Sequence, residues 1–186
     1  MELVEKIFDG AVEEFQYSGF RFTMDALAKR IGISKRTLYE TIPSKEAVIE
    51  MVIDRTFEDI KEQQKVILNH QGLDTNEKIK QLFTIVPTYA KVIDYRRIMA
   101  LKQAFPKLYQ KVEQCLESDW EPSIMLLRQG MKEGVIRKTN VVVLKLLLCE
   151  VYEQLINGET LIRNQITYEE AMQEMMEIIF EGLLVK

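Results

Sequence analysis

Within a span of 23 residues the chain places Thr23, Ser34, Lys35, Arg36, Thr37, Tyr39, Thr41 and Lys45. Ammonium and guanidinium groups donate hydrogen bonds only, and hydroxyls can donate as well as accept. A surface carrying such groups side by side suits a polyanion, whose phosphate oxygens accept and whose base edges offer mixed donors and acceptors. The placement of Lys35 and Arg36 sharpens this. Both fall in the first turn of a predicted helix, where the helix macrodipole disfavours a cation by about 0.3–1 kcal/mol each. A choice that opposes local propensity is expected where function overrides it, and a bound polyanion reverses the sign of the cost.

Charge is distributed accordingly. From Phe20 to Lys45 there are six cations, Arg21, Lys29, Arg30, Lys35, Arg36 and Lys45, against Asp25 and Glu40, a net of +4. The whole chain carries a formal charge of -4, so the remainder carries -8. A small basic module on an acidic body is the asymmetry expected when one end meets phosphate and the other does not.

These side chains need elements to hold them. Apolar residues recur at spacings of three and four in Leu3, Val4, Ile7, Phe8, Ala11, Val12 and Phe15, which predicts a helix stopped by Gly19. Thr23 is placed to cap a helix from Met24 to Ile31, Gly32 permits the positive φ of a tight turn, and Ser34 caps a helix to about Thr41. Leu27, Ile31, Ile33 and Leu38 supply the shared core of the two helices, and Ala28 is small where they approach. Ile42 and Pro43 end the second, since the residue before proline avoids the helical region. Ser44 caps a longer helix to about Leu68.

The sequence resembles the tetracycline-repressor-type (TetR) regulators. The resemblance rests on Gly32-Ile-Ser34, Thr37-Leu-Tyr39 and Ser44-Lys45-Glu46-Ala47, beginning about twenty residues from the N-terminus. It implies an all-α fold, with a three-helix helix-turn-helix DNA-binding domain over residues 1–46 and a larger helical ligand-binding and dimerisation domain over 47–186. It also implies a repressor released from a double-stranded DNA operator by a small-molecule effector. Lys35, Arg36 and Thr37 would face the groove beside Ser34, with Thr23, Tyr39 and Lys45 on phosphates. Thr41 stands where the family usually has an aromatic or a histidine, and Ile42 where it has an aromatic.

Beyond Val52 the expectation is one of helix pattern. Asp74 or Thr75 starts a helix that Pro87 should bend or interrupt. Further helices are expected over Arg96–Gln103, Pro106–Leu116, Pro122–Lys132, Asn140–Ile156 and Tyr168–Leu184, the last opened by a Thr167/Glu170 capping box. The loops around Gln71 and Asn157 are linker-like. Val141 to Leu148 is apolar on almost every side and needs partners all round, while the last helix offers Ala171, Met175, Ile178, Ile179, Gly182 and Leu183. Two such helices from each chain would build a four-helix homodimer interface. An amphipathic set, Tyr89, Tyr95, Met99, Phe105, Tyr109, Trp120, Met125 and Tyr152, could line a ligand pocket.

Other classes fare poorly. One histidine, His70, lies in a polar loop and cannot seat a Ser-His-Asp arrangement elsewhere. Glu13-Glu14 and Glu169-Glu170 point to different helical faces, so neither is a carboxylate dyad. No cofactor, metal or enzymatic activity is expected. Cys115 and Cys149 read as reduced core thiols. No basic-then-apolar leader opens the chain, and the longest apolar run, Val141 to Cys149, contains Lys145 and is too short for a bilayer, so a cytoplasmic protein without a membrane partner is expected. The alternative is a helical adaptor binding only protein, which the +4 module disfavours.

Overall fold

The computed structural model describes residues 2–88, 98–118, 120–157 and 159–184, with the side chains of residues 98, 99, 156, 157, 159 and 162 left aside. Helices α1 (Glu2–Ser18), α2 (Met24–Arg30), α3 (Lys35–Thr41), α4 (Lys45–Asn69), α5 (Thr75–Phe83), α6 (Ile98–Ala104), α7 (Pro106–Glu117), α8 (Glu121–Glu133), α9 (Val141–Asn157), α10 (Glu159–Arg163) and α11 (Tyr168–Leu183) follow in order. No strand forms among the described residues. An antiparallel bridge joins Ile136 to Leu184.

The chain divides into two compact units, residues 1–59 with 87–112 and residues 60–86 with 113–186. In the first, α1 packs on α2 and α2 on α3. Ile7, Phe8, Ala11, Leu27 and Leu38 are fully buried there, and Val48, Ile49 and Val52 of α4 are buried too. Gly10 is the point of closest approach: a Cβ there would lie 2.3 Å from Ile31 Cγ2 and 3.1 Å from Leu27 Cδ1. Ion pairs tie the same elements. Arg55 of α4 donates to both carboxylate oxygens of Glu5, and Lys111 of α7 reaches Glu50 and Asp54.

In the second unit Ile79, Leu82 and Phe83 of α5, Leu126 and Leu127 of α8, Leu144 and Leu148 of α9, and Met176, Phe180 and Leu183 of α11 share a core with Ile136. Asp74 opens α5 with a full capping box, and Thr167 does the same for α11. Gly134, at φ +76°, closes α8 in the left-handed conformation that glycine adopts without penalty.

Several expectations need correction. Helix α5 ends at Phe83, with Thr84 as its cap, so it stops before Pro87 rather than bending at it. The segment after Asn157 contains α10, a helix of five residues, too short to show a period. Helix α9 is not covered all round: Leu144 and Leu148 are buried, while Val142, Val143, Leu146 and Leu147 are 50–62% exposed. Leu183 turns into the core of its own unit together with Met172, Met176 and Phe180, whereas Ile178 faces out. Both cysteines are half-buried rather than core residues.

Candidate nucleic-acid interface

The turn between α2 and α3 is built from its caps. Thr23 Oγ1 accepts from the Ala26 N–H at 3.1 Å, and Ser34 Oγ accepts from the Thr37 N–H at 3.0 Å. Each satisfies a backbone donor that the first helical turn leaves unpaired. Between them Gly32 sits at φ +71° and the Ile33 N–H returns to the Ala28 carbonyl at 3.0 Å. Leu38 is fully buried and Ile42 nearly so, which orients the rest of α3 outward.

Lys35, Arg36 and Tyr39 are exposed on that outward side, and Thr37 and Thr41 are half-buried at its edge. Neither threonine is idle: Thr37 Oγ1 shares a 2.8 Å hydrogen bond with Ser34 Oγ, and Thr41 Oγ1 donates to the Thr37 carbonyl at 2.9 Å. Lys35 pairs with Asp25 of α2 at 2.7 Å and lies 6.0 Å from the Tyr39 ring centre. The hydrogen bond to Asp25 raises the Lys35 ammonium above its ordinary pKa, so it is charged throughout the neutral range. Arg36 Nε donates to Glu40 Oε1 at 2.8 Å, one helical turn on.

Lys45 is placed differently from a free surface cation. Its ammonium donates to the Phe20 carbonyl and stands 4.8 Å from the ring centre of Phe22 and 5.7 Å from that of Phe105. Desolvation among these groups lowers its pKa from the usual lysine value. Two of its three donors remain for another acceptor.

Arg30 is tied back to α1. Its Nε donates to Glu14 at 2.6 Å and its Nη1 to Glu13 at 3.0 Å, while the guanidinium lies 5.1 Å from the Tyr17 ring centre. Glu14 is buried at 4% exposure. Sixteen residues separate the partners, so the local pattern around Arg30 carried no sign of the pair. The same holds for Asp25 as the partner of Lys35 and for Phe105 beside Lys45, whereas the Arg36–Glu40 pair has the i,i+4 spacing of a local helical pair.

The arrangement is a capped two-helix turn presenting a cationic α3. The model of bacterial regulatory proteins of the tetR family matches residues 7–52, the stretch from the middle of α1 into the first turns of α4. Over these residues the chain is similar to the tetR family's regulators. The match ends within α4, and the comparisons place the chain among DNA-binding transcriptional regulators rather than enzymes. Over its length it is 25% identical to the HTH-type transcriptional regulator YvaF of Bacillus subtilis across 165 residues, 89% of this chain and 87% of that protein. It is 29% identical to the nucleoid occlusion factor SlmA of Marinobacter nauticus across 142 residues, 72% of this chain and 69% of that protein. In fold it resembles the fatty acid degradation regulator FadR of Bacillus halodurans, with a TM-score of 0.71 at 16% identity, covering 97% of this chain and 99% of that one.

The expected ligand-pocket residues are distributed over both units. Phe105 and Tyr109 belong to the first unit; Trp120, Met125 and Tyr152 belong to the second. Met125 is 62% exposed and faces away from the core. Tyr89, Tyr95 and the Met99 side chain lie outside the described residues. Trp120 and Tyr152 do meet: their rings stack with centres 6.3 Å apart, Phe83 is 6.1 Å from Trp120, and the Tyr152 hydroxyl donates to the Phe83 carbonyl at 3.2 Å. Burial in this cluster pushes the Tyr152 phenol far above its ordinary range, so it is a neutral donor at every physiological pH. Among the described residues no group of three or more His, Cys, Asp or Glu side chains could hold a metal ion, and no helix is long and apolar enough to cross a membrane.

Proposed function

We propose that this chain is a homodimeric, cytoplasmic repressor that leaves its operator when a small amphipathic molecule binds its C-terminal helices. Residues 1–46 bind the operator and residues 47–186 bind the ligand and the second copy. The reading rests first on the exposed Lys35, Arg36 and Tyr39 around a capped, cationic helix start. Thr23, Ser34, Thr37, Thr41 and Lys45 frame that surface and contribute phosphate contacts or fix its geometry.

The dimer is supported by α9. Val142, Val143, Leu146 and Leu147 form one apolar stripe at 50–62% exposure, and contiguous exposed apolar residues of this kind mark interaction surfaces. Ile178 of α11 is exposed as well. A second copy packing the same helices buries these residues symmetrically. The ligand site is assigned to the aromatic cluster of Trp120, Tyr152 and Phe83, and the fold shared with a regulator named for fatty acid degradation favours an amphipathic ligand. An inducer must bind the form with unsuitably spaced heads better than the DNA-bound form, since equal affinity shifts nothing.

A second reading has its own support in the 29% identity to a nucleoid occlusion factor: a DNA-binding factor that acts without ligand release. A genome-wide footprint of the bound protein separates the two. Sites confined to one or a few promoters, with binding abolished by a compound that quenches Trp120 fluorescence, support the repressor. Many dispersed sites and no such compound support the second reading.

A further inference from the structure

Helix α3 carries a built device for reading one kind of base pair. Leu38 is fully buried and marks the inward direction of the helix. At about 100° per residue, Arg36 and Glu40 each lie about 160° from it, on opposite sides, so the pair straddles the line pointing straight away from the core. Arg36 is accordingly the most outward cation of the helix, with its side chain 88% exposed against 59% for Lys35. Lys35 is drawn sideways to Asp25 on α2. Arg36 has no partner on another element among the described residues; its guanidinium is held from its own helix, by Glu40 Oε1 at 2.8 Å from Nε.

The atom that Glu40 takes matters. An arginine fork has five N–H donors in one plane. With Nε committed to the carboxylate, the two Nη groups at the tip remain, side by side and coplanar. Two parallel donors at that spacing match the O6 and N7 acceptors of guanine in the major groove, whereas adenine presents an acceptor beside a donor. Fixing the plane in advance also removes part of the side-chain entropy that a long, free arginine loses on docking.

The structure assigns to Arg36, held end-on by Glu40, the recognition of a guanine in each operator half-site. Glu40 is the positioning residue. This deepens the DNA-binding reading and rests on α3 entering the major groove. The carboxylate brings a distinct signature: near phosphates it repels, so it lowers affinity for DNA in general while raising discrimination at one base pair. A residue that merely stabilises α3 has no such opposed effects.

The test uses the full chain and a duplex recovered from its own footprint, with each guanine replaced in turn by 7-deazaguanine, which lacks the N7 acceptor. Binding is measured by fluorescence anisotropy beside a scrambled duplex. For the unaltered protein one guanine per half-site should stand out, its replacement costing severalfold, a part of the roughly 5- to 150-fold that a whole bidentate contact is worth, since O6 is kept. Arg36→Ala should weaken binding to scrambled DNA only modestly and lose the penalty at that guanine. Glu40→Ala should shrink the penalty severalfold and tighten binding to scrambled DNA. The inference is overturned if Arg36→Ala or Glu40→Ala discriminates the modified guanine as well as the parent does, or if no guanine shows an Arg36-dependent penalty. A protein that binds every duplex equally, or none, overturns it together with the sequence-specific reading; the other failures leave that reading intact. Both side chains project into solvent, and unchanged circular dichroism establishes that the variants fold.

Discussion

Replacing Gly10 by alanine tests whether the recognition helices are seated on α1 as tightly as the structure indicates. Two effects oppose each other. Alanine is about 1 kcal/mol better than glycine in a helix interior, which alone would stabilise α1. The new Cβ, however, would sit 2.3 Å from Ile31 Cγ2, and something must move. That methyl is attached to the Cβ of a β-branched residue whose rotamer is stiff, at the C-terminal cap of α2, so relief requires shifting α2 itself. Overpacking of this kind costs about 1–3 kcal/mol. The difference leaves a net loss of up to about 2 kcal/mol, and an approach of 2.3 Å to a stiff side chain puts it in the upper half of that range. Gly130 in α8 is the internal control. A Cβ there meets Ile79 Cδ1 at 2.9 Å and Ile136 Cγ1 at 3.2 Å, and the nearer of these is the free end of a side chain that can swing away. Gly130→Ala should be near neutral, as about 1 kcal/mol of propensity offsets a mild contact. Urea unfolding decides: with a slope of about 1–3 kcal/mol per molar, Gly10→Ala should lower the midpoint by roughly 0.5–1 M. A Gly10→Ala protein as stable as its parent, or less affected than Gly130→Ala, refutes the reasoning.

Further outcomes follow from the same geometry. Glu14→Gln and Arg30→Ala should each lower the urea midpoint more than Glu13→Gln, because Glu14 is buried and Glu13 is exposed; equal effects would mean that burial of the pair does not matter. Lys45→Ala should reduce the slope of log affinity against log salt by about 0.9 per chain if its ammonium reaches a phosphate; lost stability with an unchanged slope confines Lys45 to the Phe20 carbonyl and its two rings. Leu147→Lys on the exposed α9 stripe should halve the mass measured by sedimentation while leaving helicity intact, and an unchanged dimer would place the interface elsewhere.

The head was legible because its signals are local. Caps at Thr23, Ser34 and Ser44 act on the third residue beyond each, and Gly32 declares a positive φ within one turn, so a linear reading found all of them. What it missed is what lies between distant segments. Arg30 was counted in the +4 of the basic module with no sign of its partners, because Glu13 and Glu14 are seventeen and sixteen residues away. Phe105 was taken for a pocket residue, and it stands beside Lys45 in the first unit, sixty residues from it along the chain. In the second unit, hydrophobicity alone could not separate residues facing the unit's own core from residues left outside. Leu183 and Ile178 read alike, and one is buried while the other is exposed. Helix α10, with five residues, offered no period to read.

The central claim is that the α3 face binds DNA, and a salt series tests it most directly. The full chain is titrated against the duplex from its own footprint between 50 and 200 mM salt, as on the order of that range separates electrostatic from non-electrostatic binding. The parent protein should bind with a steep salt dependence and a mass of two chains per duplex. The double variant Lys35→Ala, Arg36→Ala should lose binding and flatten the slope while retaining its fold and its mass in solution. If that variant binds with the parent's affinity and slope, DNA is held by another surface and the account is wrong.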